Sequence, residues 1–186
     1  VFRDPGTGNA TPNASSALVV SRPLQIIGNT ASGLPSITLD GGLAGNPAVD
    51  GRLLWVFDGN NVEDTAFQLS NLAFANARVV GGAGGCMFSQ ETVVLSNVRF
   101  NNCVSEGNGT LSGVGGALAI YNRVVSAVPV ARPAVRLLSV RVTNSKALRG
   151  SSATASTAGG IAIGSGFGFA ANAGNDPTSL PAYHAL

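Results

Sequence analysis

The chain has 186 residues, of which 45% are hydrophobic and only 11% charged, against about 25% charged in an ordinary soluble domain. Its 11 Lys and Arg against 9 Asp and Glu leave a net charge of +2, which excludes a disordered polyelectrolyte and a basic nucleic-acid binder. No apolar run approaches the roughly 18 residues of a membrane-spanning helix, and one domain with a sizeable core is expected.

Position 1 is Val rather than Met, so the chain is expected to have lost a leader or to be a segment of something longer. Val, Ala, Gly, Ser, Thr and Asn dominate, and Lys occurs once, at Lys146. This palette suits strands and turns, and no amphipathic helix stands out. In chain order the first predicted strands are 24–28, 36–42 and 53–59, each ending in turn residues. They read as early rungs of the repeat that follows.

Residues 67–77 (FQLSNLAFANA), 93–103 (VVLSNVRFNNC) and 135–145 (VRLLSVRVTNS) align without gaps, at offsets of 26 and 42 residues. Apolar positions are two apart within each half, as in a strand with one buried face. An extra residue in the middle, Asn71, Asn97 or Ser139, would flip the faces of a straight strand. A bend is expected there, at residue types that tolerate turn conformations. Each unit therefore reads as strand, corner, strand, both facing one interior. The matching Asn76, Asn102 and Asn144 are expected to stack as a side-chain ladder.

A glycine pair and a short apolar strand follow each unit: Gly84-Gly85 before Cys86-Met87-Phe88, Gly115-Gly116 before Ala117–Ile120, and Gly159-Gly160 before Ile161–Ile163. Leu118 and Ile120 are expected inward over Ile161 and Ile163, with Cys86 and Phe88 as the matching pair. Three strands per turn on a period of ~20–25 residues predict an all-β solenoid, a parallel β-helix of roughly five to six coils. Residues 1–163 would form one domain, with clear repeats from 64, and 164–186 an irregular linker or cap. Segments 105–113, 122–133 and 145–158 are expected to leave the coil as insertions, either spacers or a recognition surface. A stack of this kind has open ends with unpaired strand edges, so the chain is expected to sit in a longer solenoid or an assembly.

The paired signature Phe74-Ala75-Asn76 and Phe100-Asn101-Asn102, with Gly115-Gly116-Ala117 leading to Ile120, resembles the polymorphic outer membrane protein repeat over residues 64–164. The third copy departs from it, with Val142-Thr143-Asn144 and with Gly159-Gly160-Ile161 lacking the Ala. The earlier SITLDGG stretch is similar to coils of pectin-lyase-like folds. The resemblance implies a right-handed β-helix in a secreted or surface-exposed protein, with roles in adhesion, as autotransporter passengers or as extracellular scaffolds. It implies a fold more than an activity.

The chemistry-bearing residues are few. Asp40, Asp50, Asp58, Glu63 and Asp64 hold five of the nine acids, but three of them stand in Asp-Gly pairs, ordinary turn chemistry; a catalytic or calcium role is the lesser reading. Residues 58–64 do not fit a calcium loop, because Val62 takes a ligand place and no glycine sits sixth. The characteristic Asp pairs, Gly-His-Gly turn and Arg-x-Lys motif of pectin-lyase-like enzymes are not found. His184 is the only histidine and reads as a tail residue, so no histidine triad or zinc site is expected. The glycine runs 81–85 and 164–168 lack the following helix and Lys of a phosphate loop. Arg99 and Arg141 fall in one outward column and Arg136 in another, as solvated positions or contacts for an acidic glycan or a partner carboxylate. The outward columns are not Thr ladders, which excludes an ice-binding face.

Cys86 and Cys103 read preferentially as two buried or half-buried thiols, with a disulfide as the alternative, since spacing does not give their separation. Asn9, Asn13 and Asn108 open N-glycosylation sequons, with Asn108 the best placed, in an insertion. Trp55, Tyr121 and Tyr183 are the few aromatics able to stack on a sugar. The expected function is a non-enzymatic extracellular or cell-surface scaffold, in adhesion or assembly. No catalytic residue, metal or cofactor is expected. Partners would be proteins or further copies meeting its ends and loops, with glycans in addition, and no nucleic acid. The competing expectation is a polysaccharide-active lyase or glycoside hydrolase, which would line one sheet with acids and bases from adjacent coils.

Overall fold

The chain is described here from a computed structural model, over residues 17–42, 51–56, 66–107, 113–122, 134–151, 158–165 and 184–185. Every regular element among them is a strand: β1 (Leu18–Val20), β2 (Leu24–Ile27), β3 (Thr30–Ala31), β4 (Leu34–Pro35), β5 (Ile37–Asp40), β6 (Leu54–Val56), β7 (Phe67–Ala75), β8 (Arg78–Val80), β9 (Met87–Ser89), β10 (Val93–Asn101), β11 (Val104–Glu106), β12 (Leu118–Asn122), β13 (Val135–Leu138), β14 (Arg141–Thr143), β15 (Lys146–Leu148), β16 (Ile161–Ser165) and β17 (His184–Ala185). The fold is all-β and mostly parallel.

Three parallel sheets organise these strands. Sheet I runs β1-β6-β9-β12-β16, closed by β17; sheet II runs from β13 through β10 and β7 to β2, with β14 also on β10 and β5 also on β7; sheet III runs β15-β11-β8. From β7 onward the chain visits sheets II, III and I in that order three times. Equivalent residues of successive passes therefore lie side by side. Leu69 pairs with Leu95, and Leu95 with Leu137. Phe74 pairs with Phe100, and Phe100 with Val142.

The alternation that marks these segments decides what they bury. Phe67, Leu69, Leu72 and Phe74 of β7, and Val93, Leu95, Val98 and Phe100 of β10, are all buried in one core. Each contributes about 1.5–3 kcal/mol on leaving water. The faces stay in register across the middle of each segment because Asn71, Asn97 and Ser139 have φ of 57°, 51° and 54°, the left-handed region, which turns the strand by one residue. A second corner is set the same way by Asn76, Asn102 and Asn144, at 56°, 54° and 53°.

A third left-handed corner precedes sheet I, at Gly84 and Gly115, with φ of 66° and 58°. In the third copy Ala158 adopts this conformation at φ 51°. A Cβ on Gly84 would lie 1.9 Å from the carbonyl oxygen of Met87, so at that corner only glycine fits.

Several sequence expectations are corrected by this arrangement. The stretches read as insertions at 105–113 and 145–158 open inside strands of sheet III: Ser105 and Glu106 are in β11, and Lys146–Leu148 is β15. These strands share no residue pattern with β8, because Arg78, Val104 and Lys146 pair at one register position with unlike side chains. The matching pair for Leu118 and Ile120 is Met87 and Ser89, not Cys86 and Phe88. Phe88 instead pairs with Ala119 and packs in a second cluster with Ala83, Val114 and Ala162. All three residues of β9 are buried, so alternation did not fix its register. His184, read as a tail residue, lies in β17, which pairs antiparallel with β16.

The leading part shows one further device. β2 and β5 both pair with β7, Leu24 to Phe67 and Ile37 to Leu72. Residues 28–36 thus stand opposite the single corner residue Asn71. They include a small antiparallel hairpin, β3 with β4, turned at Ser32 and Gly33 with φ of 53° and 76°, the conformation of a two-residue hairpin turn.

Candidate functional site

The strongest local chemistry lies where the second and third corners bring successive passes together. Cys86, just ahead of β9, and Cys103, between β10 and β11, form a disulfide with Cα atoms 5.4 Å apart. Both are buried in the main core. This replaces the preferred free-thiol reading. The left-handed corner at Asn102 delivers the next residue, Cys103, inward, and the glycine corner delivers Cys86 against it from the previous pass. The bond is thus a tie between two neighbouring passes.

Other ties cross the same junction. The amide of Asn102 donates to Asn76 Oδ1 at 2.9 Å, and Asn97 donates to Asn71 Oδ1 at 2.9 Å. The first column continues to the edge, where Asn76 donates to Asp40 Oδ2 at 2.9 Å. The expected third rung is different: Asn144 donates to Asn101 Oδ1 at 3.0 Å rather than to Asn102. Asn101 supplies an acceptor there that Ala75 does not offer one pass earlier, and Thr143 Oγ1 donates to it as well, at 3.0 Å. On sheet III the Arg78 guanidinium donates to Glu106 through Nε, at 3.0 Å, and through Nη2. That pair is 20% and 30% exposed, so its net worth is only about 0–1 kcal/mol.

Of the five acids read from the sequence, Asp40 alone lies among the described residues. Asp40 accepts the backbone N–H of Gly42 at 2.8 Å, which is turn chemistry. Asp50, Asp58, Glu63 and Asp64 lie outside the described residues, as do Asn9, Asn13, Asn108 and Tyr183. Among the described residues no group of three or more His, Cys, Asp or Glu gathers as metal ligands do. Among the same residues no helix is long and apolar enough to cross a membrane.

Two outer faces differ in chemistry. Sheet II places Arg99 beside Arg141, and Arg136 beside Val94, as the columns predict. Like charges at one register position repel, so this face favours an anionic neighbour or solvent. On sheet I, Val19, Trp55, Phe88, Ala119 and Ala162 share one register position. Trp55 meets Phe88 edge-on at 6.4 Å. Arg52 lies 5.0 Å from the Phe88 centroid and 5.9 Å from that of Trp55, and its Nε and Nη2 donate to the carbonyl of Ala83 at 3.1 and 2.6 Å. This guanidinium is held by backbone and rings, so Trp55 is a half-buried packing residue and not an open sugar platform.

Sequence reasoning missed Arg52, the Arg78–Glu106 pair and the buried Glu91, which is 2% exposed. Glu91 follows β9, where Ser89 Oγ accepts its backbone N–H at 3.1 Å. Nothing in the spacing marks any of these. Comparison with family models, curated proteins and solved structures finds no match.

Proposed function

We propose that the chain is a right-handed parallel β-helix of the polymorphic outer membrane protein repeat type. It acts as a non-enzymatic scaffold on the cell surface or outside the cell, in adhesion or assembly. The carrying observation is the repeated order of passage through sheets II, III and I with equivalent residues in register. Five parallel strands in sheet I accord with about five coils. The right-handed sense rests on the resemblance of the Phe-x-Asn and Gly-Gly-Ala signatures.

The Cys86–Cys103 bond supports an oxidising location, since such bonds persist mainly outside the cytosol. A rigid stack tied across its coils serves to present outer faces and edges at fixed spacing, and partners would be proteins, further copies or glycans.

The test is thiol trapping on intact cells that make the chain. The expected result is that Cys86 and Cys103 resist a membrane-impermeant maleimide until a reductant is added, and that added protease removes the chain. Free thiols in a protease-protected chain would overturn the location. Turnover of a uronate polysaccharide by the purified chain would overturn the non-enzymatic reading in favour of a lyase or hydrolase.

A further inference from the structure

We infer that the outer face of sheet II binds a sulfated polysaccharide through the paired side chains of Arg99 and Arg141. This rests on the scaffold reading and names one partner class among those that reading leaves open. Arg99 of β10 and Arg141 of β14 are register partners on parallel strands, with backbones about 4.8 Å apart. Their neighbours along each strand, Phe100 and Val142, belong to the core, so alternation aims both guanidiniums outward. Arg141 is exposed and Arg99 half-buried. Like charges held side by side repel, and among the described residues neither arginine has a hydrogen bond or an ion pair.

The described acids that could neutralise this pair are engaged elsewhere. Asp40 stands on the same sheet but accepts the Asn76 amide and the Gly42 N–H. Glu91 is 2% exposed, and Glu106 accepts from Arg78 on sheet III. The exposed Arg136 of β13 adds a further positive charge to the sheet, across the bend at Ser139. The face therefore attracts an anion from outside the chain.

Shape selects the anion. One forked arginine fills both oxygens of a carboxylate, whereas a sulfate ester has a further terminal oxygen and accepts from both guanidiniums at once. The surrounding side chains select what carries it. Ser70 and Ser96 are register partners on this sheet, and their hydroxyls have no partner among the described residues. Asn101 Oδ1 accepts from Thr143 and Asn144, which leaves its amide N–H groups for an outside acceptor. Such groups suit sugar hydroxyls. Ala73, next to Arg99 in the column, is small and leaves room for a chain crossing the strands. The outward residues of β7, β10, β13 and β14 include no aromatic, so a nucleic acid finds no stacking platform. The arginines also fall short of the cluster of about 4–8 basic residues that suits an anionic lipid surface.

Calorimetric titration of heparin into the 186-residue chain tests this. The expected result is saturable binding whose Kd rises about tenfold from low to high salt, with no binding of neutral dextran. Arg99→Ala with Arg141→Ala weakens binding by about tenfold or more. The circular dichroism spectrum stays unchanged and thermal stability does not fall, because a repulsion is removed with the pair. Lys146→Ala with Arg149→Ala removes the same charge from exposed positions off the pair and changes Kd by less than about twofold. Absence of heparin binding at low salt overturns the inference. So does an equal loss from both double variants, which would mean general attraction to a cation. A single-stranded oligonucleotide, a phosphatidylserine vesicle or polygalacturonate bound as tightly as heparin also overturns it. A chain that binds no heparin yet is oxidised and protease-accessible on cells leaves the scaffold reading standing, whereas free thiols in a protease-protected chain remove that reading as well.

Discussion

Between the pass β7–β9 and the pass β10–β12 lie the disulfide, two Asn-to-Asn hydrogen bonds, the Arg78–Glu106 pair and the stacked rings of Phe74 and Phe100, 5.3 Å apart. Between β10–β12 and β13–β16 the same columns continue, with Val142 under Phe100 and Ser139 under Asn97, but the inward side chains of the sheet II segment, Val135, Leu137, Val140 and Val142, are only partly buried. The ladders are alike at the two junctions. The difference lies in side chains, and it predicts a stack that opens from its trailing end while the central junction persists. Local stability follows side-chain burial more than strand pairing here.

The largest break in that contrast comes from Phe100→Ala. Its ring is fully buried and stacked, so urea unfolding should show a loss of about 3–5 kcal/mol. Val142→Ala, one pass later in the same column, should lose about 1 kcal/mol. Replacing Cys86 and Cys103 together by Ser should cost about 3 kcal/mol, from a loop closed over a separation of 17 residues. Amide exchange should then show the central junction opening with the trailing one. Asn102→Ala removes a residue suited to left-handed backbone and one hydrogen bond, a loss of about 2 kcal/mol in urea unfolding. The exposed Asn144→Ala should lose about half that. The smallest effect is a gain: Ala158→Gly relieves a left-handed alanine and should raise stability by about 1 kcal/mol in thermal unfolding.

What the sequence disclosed follows from where side chains repeat. The sheet II columns, their corner residues and the early strands were readable because burial on one face leaves a period of two, and the left-handed corners recruit Asn. Sheet III left no trace because its strands are short and their paired residues differ in kind. The hairpin at 30–35 went unread although Ser32-Gly33 carries its signal, a two-residue turn between the short strands Thr30–Ala31 and Leu34–Pro35. Free thiols were preferred over the disulfide that forms because a spacing along the chain does not state a distance between neighbouring passes. The third Asn rung failed for a local reason: a competing carboxamide at Asn101.

The hairpin opposite Asn71 has a practical consequence. In the leading unit a whole excursion occupies the place that one residue fills elsewhere, yet the strands on either side keep their pairing with β7. The bend at this position is thus a natural splice point. A foreign peptide of similar length grafted at Ser139, the exposed corner one pass beyond Asn97, would be displayed along the same edge, clear of the native hairpin, whose Gly33 carbonyl already accepts from Asn97.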